Sequence, residues 1–374
     1  MPPLTVMIKP VSGTCNMRCE YCFYADVIAR RKEPNYAPMT KETLEAIIRR
    51  SFHYADGSLN FVFQGGEPTL IGIDFYKALV EYERIYNTRG LTVTNAVQTN
   101  GYSLSDNLIS FFAREHFSLG VSLDGCAHLH DRLRVDSHGS PTYDVVKANI
   151  AKLRAAQVPV SILCVVNDYV AREPLSVIRA LAPYGLIQFI TCLNNLDGTV
   201  AHYSLNSENY LFFLKSTFDF YYESAISGRF VSIRTFDNYL RILKGLPPES
   251  CGMRGSCGHY FLIESNGNVY PCDFYVHDRW MIGNILQTPL NRLAVSPVYR
   301  KFFEDSLNVP EKCQRCSWYM LCRNGCKRER DPQTGINLWC DCLSSFFEYS
   351  ISHMITLVNH PTYIDSDFIS PSIV

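Results

Sequence analysis

Most of the fifteen cysteines in this 374-residue chain are packed into short runs: Cys15, Cys19 and Cys22; Cys251, Cys257 and Cys272; then Cys313, Cys316, Cys322 and Cys326, with Cys340 and Cys342 beyond. Segments bearing such runs must bring their thiols together, either as disulfides or around metal. Disulfide frameworks belong to small secreted domains, whereas this chain is long and Met1 to Pro10 hold neither a secretory apolar core nor a spanning helix. Metal is therefore the expected partner of the clustered thiols, and the cytoplasm the expected compartment. Isolated Cys126, Cys164 and Cys192 read as small buried hydrophobes. With 47% hydrophobic residues and a formal net charge of −1, nothing electrostatic calls for nucleic acid or an anionic membrane.

The first 230 residues alternate short β-rich runs with longer amphipathic ones, the pattern of repeated β/α units around a parallel sheet. Strands are expected at Val6–Lys9, Leu59–Phe63, Leu91–Val97, Ser118–Leu123, Val158–Val165 and Leu186–Thr191. Helices are expected at Lys41–His53, Ile73–Ile85, Ser105–Arg114, Tyr143–Ala156 and Ala171–Ala182. Six units fall short of the eight that close a full barrel, so the expected fold class is α/β, a partial (β/α)6 barrel with an open side. In Glu208–Ser227, aromatic residues recur at helical spacing and predict a core-facing helix. Beyond it the strands shorten and Gly and Cys become frequent. That sets two expected domains, residues 1–230 for the barrel and 231–374 for a smaller cysteine-rich domain ending in a helix.

The run Cys15-Asn-Met-Arg-Cys19-Glu-Tyr-Cys22 follows the first expected strand and supplies three thiolates. Protein-held cubane clusters usually take four, so three leave one iron with an open coordination position where chemistry can occur. A zinc knuckle would need a fourth ligand from a distant His or Cys. C-x3-C-x2-C followed by Phe23-Tyr24 resembles the radical S-adenosylmethionine (SAM) signature, and the resemblance extends over nearly the whole chain. It implies a partial barrel and a [4Fe–4S] cluster whose free iron takes the amino and carboxylate groups of SAM, which is then cleaved to a 5′-deoxyadenosyl radical. The second strand ends in Gln64-Gly65-Gly66-Glu67-Pro68, similar to the family's GGEP motif. Its glycines would let backbone approach a ligand, and an exposed Glu67 carboxylate would receive the methionine ammonium. Later strand ends bring Gln98 and Ser122 to the same rim, where barrel active sites are built. The resemblance implies further SAM contacts from Tyr21, from Leu193 after the sixth strand, and from an arginine, Arg134 or else Arg132.

Cys257-x9-Gly267-x4-Cys272, followed by Cys313-x2-Cys316-x5-Cys322-x3-Cys326, resembles the SPASM extension of radical SAM enzymes that modify peptides and proteins. That implies two auxiliary [4Fe–4S] clusters, making three in all. One would sit on Cys251, Cys257, Cys272 and Cys326, the other on Cys313, Cys316, Cys322 and Cys340, with Cys342 the alternative last ligand. Full ligation by four thiolates favours electron transfer or structural support over a second SAM site. The stretch Tyr270 to Val276 and the opening MPP…IKP are similar to the anaerobic sulfatase-maturating enzymes. This implies oxidation of a Cys or Ser in an unfolded sulfatase peptide to Cα-formylglycine, with a flavodoxin or ferredoxin as electron donor. Asp273 would be the base that removes the thiol or hydroxyl proton, although an aspartate in a turn can also simply bond local backbone. The open barrel side would hold the peptide, with Tyr24, Asn194 and Asn195 as wall residues. A SPASM enzyme that crosslinks a ribosomal peptide is the alternative, and the lack of a peptide-recognition winged helix before Cys15 weighs against it.

Overall fold

The computed structural model of the protein describes residues 3–360; Met1 and Pro2 of the opening motif and residues 361–374 lie outside that range. The expected strands form β1 (Leu4–Lys9), β2 (Ser58–Phe63), β3 (Thr92–Thr99), β4 (Ser118–Ser122), β5 (Val160–Val166) and β6 (Leu186–Thr191). They pair in parallel in chain order, the winding of a barrel rather than of an open doubly wound sheet. Sequence explains why: LTVMIK and VSILCVV are near-continuous apolar runs, and such runs suit strands covered on both faces. The helices start where side chains satisfy their free backbone N–H groups, with Thr40 accepting from Thr43 N and Ser105 from Leu108 N.

One expected helix is broken. Ala171–Ala182 is instead two pieces, Asp168–Ala171 and Pro174–Leu181, because Pro174 lacks an N–H to continue a helix and suits the first turn of a new one. The aromatic-rich helix forms at Ser207–Ile226 with Phe213, Phe218 and Tyr221 buried as expected. It packs along the final helix, Cys340–Val358, where Phe218 meets Phe346 edge-on at 5.6 Å.

The sheet does not stop at six strands. Strand β7 (Ser232–Ile233) adds in parallel to β6. On the opposite edge β8 (Phe261–Glu264) pairs in parallel with β1, placing Val6 opposite Phe261 and Lys9 opposite Glu264. Strands β9 (Asn268–Tyr270) and β10 (Gly283–Asn284) follow as an antiparallel meander, completing a ten-stranded sheet. The cysteine-rich part thus grows out of the barrel's own first edge. Among the described residues no helix is long and apolar enough to cross a membrane.

A buried ion pair fastens this junction. Arg31, just after the helix Phe23–Ala29, places Nη2 2.7 Å from Glu264 Oε1 and donates from Nε to the Val276 carbonyl at 2.7 Å. Tyr24 donates its phenol to the same carboxylate. Removing one member of a buried pair leaves a bare charge in a dry site. Arg31→Met is therefore expected to lower unfolding free energy by about 3–5 kcal/mol, with Arg31→Met/Glu264→Leu recovering most of the loss in urea titrations.

Candidate active site

The chain leaves β1 at Lys9 and runs over the barrel mouth as the cysteine loop. The loop is tied down by backbone bonds from Arg18 N to Val135 O at 2.8 Å and from Glu20 N to Leu133 O at 3.0 Å. On its other side the GGEP segment donates from Gly66 N to Ser12 O and from Glu67 N to Thr14 O, both at 2.8 Å. A Cβ on Gly66 would lie 2.0 Å from the Thr14 carbonyl oxygen, and one on Gly65, at φ +131°, would lie 2.9 Å from the Ser12 oxygen. What these glycines admit at close range is the cysteine loop.

The expectation for Glu67 is corrected. Its carboxylate is fully buried: Oε1 accepts from Thr69 N, Thr69 Oγ1 and Thr99 Oγ1, and Oε2 accepts from Asn100 N at 2.7 Å. No oxygen is exposed for an ammonium, because the donors come from the strand ends the motif must hold together. Burial pushes the carboxyl above its ordinary range despite these donors. Asn100, fixed in the same net, offers Nδ2 to Cys15 Sγ at 3.6 Å, and Met17 N lies 3.4 Å from that sulfur. Burial raises the Cys19 thiol to about 11; Arg134 opposes, and Cys22 and Cys15 add to it, as three thiols sharing one patch should.

Beneath the loop, the Tyr21 phenol donates to Asp124 and accepts from Arg134 Nη1 at 2.8 Å, while Asp124 Oδ1 accepts from Val165 N at 2.8 Å. All three side chains are buried, and Arg134 Nε is left without a hydrogen-bond partner. Arg132 lies outside this group, exposed, with its guanidinium 3.6 Å from the Tyr169 ring centre. Gln64 is buried with Nε2 2.6 Å from Met7 Sδ, and Gln98, Ser122 and Leu193 are half-buried at the ends of β3, β4 and β6. Tyr24, expected to line the peptide groove, is instead buried, its ring under the Lys9 ammonium at 3.6 Å.

In the cysteine-rich part the thiols gather around two voids. Cys251, Cys257, Cys272 and Cys326 line a cavity of about 40 Å³, and Cys313, Cys316, Cys322 and Cys340 line one of about 80 Å³. Four thiols facing a void fit a cubane, whereas zinc draws its thiolates to about 2.3 Å from one point. Among the described residues no three His, Cys, Asp or Glu groups are set to hold a single ion. Cys342 is buried in the apolar core and lines neither cavity. Asp273 is buried, with Lys9 Nζ 2.6 Å from its Oδ1, at an angle that leaves that oxygen without a hydrogen bond. The strand-end runs that include Asn100 and Asp124 stand out in the sequence as polar rim groups, but Lys9 and Tyr260 do not. Lys9 carried a signal, a lone charge at the end of an apolar strand; Tyr260 carried none.

The radical SAM superfamily model matches residues 10–181, and that of the SPASM iron-sulfur cluster-binding domain matches residues 251–317. Fold and thiol groups together thus define a radical SAM enzyme with a SPASM extension. Over 362 residues the chain is 41% identical to a cysteine-type anaerobic sulfatase-maturating enzyme of Clostridium novyi, spanning 95% of this chain and 97% of that protein. Over 377 residues it is 30% identical to a serine-type anaerobic sulfatase-maturating enzyme of Bacteroides thetaiotaomicron, spanning 94% and 90%. The solved structure of native anSMEcpe with bound AdoMet and Cp18Cys peptide matches with a TM-score of 0.91 at 38% identity, covering 96% of this chain and 99% of that one. The chain belongs to the anaerobic sulfatase-maturating enzymes.

Two outcomes follow from the geometry. Gly66→Ala should fold yet lose about four irons per reconstituted chain, because its Cβ displaces the cysteine loop. Cys340→Ala should lower iron content by a similar amount, whereas Cys342→Ala should retain full iron and show only a lower unfolding midpoint.

Proposed function

We propose that this enzyme oxidises a cysteine of a sulfatase peptide to Cα-formylglycine, with Asp273 as proton acceptor. The observation that carries the reading is the position of Asp273. It follows Cys272 in sequence, yet its carboxylate pairs with Lys9 at the end of β1, the strand that leads into Cys15. Asp273 thereby links the segment that carries Cys272 to the strand that leads into the cysteine loop. When bound, SAM and three [4Fe–4S] clusters supply a hydrogen-abstracting radical and carry single electrons.

The rest of the chemistry belongs to the protein's own groups. Cys15, Cys19 and Cys22 hold the SAM-binding cluster, and the two four-cysteine cavities hold the auxiliary ones. Arg134 Nε, together with the rim residues Gln98 and Ser122, the Leu193 segment and the GGEP backbone, orients SAM, while Tyr21 and Asp124 keep Arg134 in place. Asp273 takes the Sγ proton of the target cysteine at the carboxylate oxygen that Lys9 does not occupy. A buried carboxylate can serve as a general base, and Lys9 Nζ, 2.6 Å from Oδ1, holds it in place. Residues 1–230 form the SAM domain and 231–374 the auxiliary domain, and a flavodoxin or ferredoxin in the cytoplasm supplies electrons.

A cysteine target is supported by the higher identity to the cysteine-type relative than to the serine-type one, 41% against 30%. The similarity over nearly the full length of sulfatase-maturating relatives leaves the crosslinking alternative without support. Mass spectrometry of a cysteine and a serine peptide, incubated anaerobically with SAM and reductant, should find aldehyde on the cysteine peptide first. Crosslinked peptide without aldehyde would overturn the assignment. Asp273→Asn should still release 5′-deoxyadenosine but lose about 10²–10⁴-fold in aldehyde, the usual range for a general base.

A further inference from the structure

The two four-cysteine cavities differ in their electrostatic walls. Lys327 and Arg330 both line the cavity of Cys251, Cys257, Cys272 and Cys326, and no carboxylate lines it. The Lys327 ammonium is held by three rings, 4.3 Å from the centre of Phe302, 4.9 Å from Trp280 and 5.7 Å from Tyr275. Such a cage favours a cation and keeps it dry. Arg330 donates only to neutral acceptors, the carbonyls of Ser306 at 2.8 Å, Asn324 at 3.1 Å and Gly325 at 3.2 Å, so its charge is not cancelled by an ion pair. Tyr260 adds a direct bond, its phenol donating to Cys272 Sγ at 3.4 Å while accepting from Asp273 N at 3.1 Å.

Opposing charges are weaker or farther out. Asp305 lies 3.7 Å from Lys327 but is 35% exposed and so screened by water. Glu329, bonded by Thr191 and by Trp339 Nε1 at 3.1 Å, keeps its charge near Cys326 and partly offsets the cations, whereas Asp273 is matched by Lys9. In the cavity of Cys313, Cys316, Cys322 and Cys340 the lining charges pair with each other, although Arg330 also acts on Cys313. The lysine lining it, Lys312, is 2.9 Å from Asp341, which lines it too.

A reduced cluster carries one more negative charge than an oxidised one, so nearby cations and donors to its sulfurs raise its potential. We infer that Lys327, Arg330 and Tyr260 are positioning residues that raise the reduction potential of the cluster on Cys251, Cys257, Cys272 and Cys326 above that of the other auxiliary cluster, making it the acceptor of the electron released by the substrate. The inference rests on the proposed reaction. There the target –CH2–SH gives one Cβ hydrogen atom to the deoxyadenosyl radical, one Sγ proton to Asp273 and one electron to the oxidised cluster, and a C=S bond forms. Hydrolysis of that thioaldehyde releases hydrogen sulfide and leaves the aldehyde. Tyr260 touches the Cys272 sulfur and the backbone N–H of Asp273, the consecutive residues at which electron and proton arrive.

The test is an EPR-monitored redox titration of the reconstituted full-length enzyme without peptide, so it stands whether or not a sulfatase peptide is oxidised. The signal of this cluster is identified as the one lost in Cys251→Ala. In Lys327→Met that signal should shift its one-electron equilibrium toward the oxidised form about tenfold, or about 59 mV. Tyr260→Phe should move it the same way and Lys327→Arg should leave it near the parent value, while the signal lost in Cys313→Ala stays fixed. An unmoved signal at full iron content in both Lys327→Met and Tyr260→Phe overturns the inference, as does a shift confined to the other auxiliary signal. If Lys327→Met does not fold, Tyr260→Phe decides alone.

Discussion

The parallel pairing of β8 on β1 is the contact on which the rest of the molecule depends. Its register sets Lys9 opposite Glu264 at the barrel mouth, and from there the chain reaches Cys272 and Asp273 within one hairpin. Without that pairing Asp273 and its neighbouring thiols would be tethered to the barrel only by a loop. With it, they share a sheet with the strand that delivers Cys15, and sheet hydrogen bonds fix distances far more tightly than packing of side chains alone.

The same junction gathers the buried charges of the site. Lys9 meets Asp273 and Arg31 meets Glu264, while beneath the cysteine loop Arg134 shares Tyr21 with Asp124. A buried ion is tolerated only when matched, so each pair also restricts how the parts can dock: a shift of the hairpin along β1 would strand two charges on each side. Around the auxiliary cavity the rule is relaxed. Arg330 is left with carbonyls and Lys327 with rings, an arrangement that a bound anionic cluster would balance.

Much of the fold was legible because its signals are local. Apolar runs of strand length gave six strands, each ending within two residues of its expected position, and the thiol spacings marked all three groups. The misreadings arose where a residue's role depends on what another part of the chain supplies. Glu67 looked like an exposed ligand, but Thr99 and Asn100 from the next strand consume it. Tyr24 looked like a groove wall, but Arg31 and Glu264 cover it. The split at Pro174 was readable in principle, since proline's missing N–H acts where it stands.

By itself the sequence determined what each segment could become: strand, helix, or a loop carrying thiols at intervals suited to a cubane. Those outcomes follow from dihedral preference, hydrophobic period and the chemistry of sulfur, all of which act over a few residues. Only the tertiary structure decided which thiols face the same void, that Cys340 lines it and Cys342 does not, and that Lys9 and Asp273 meet across 264 residues of chain. Those pairings are set by burial and by strand register, which no spacing along the chain encodes.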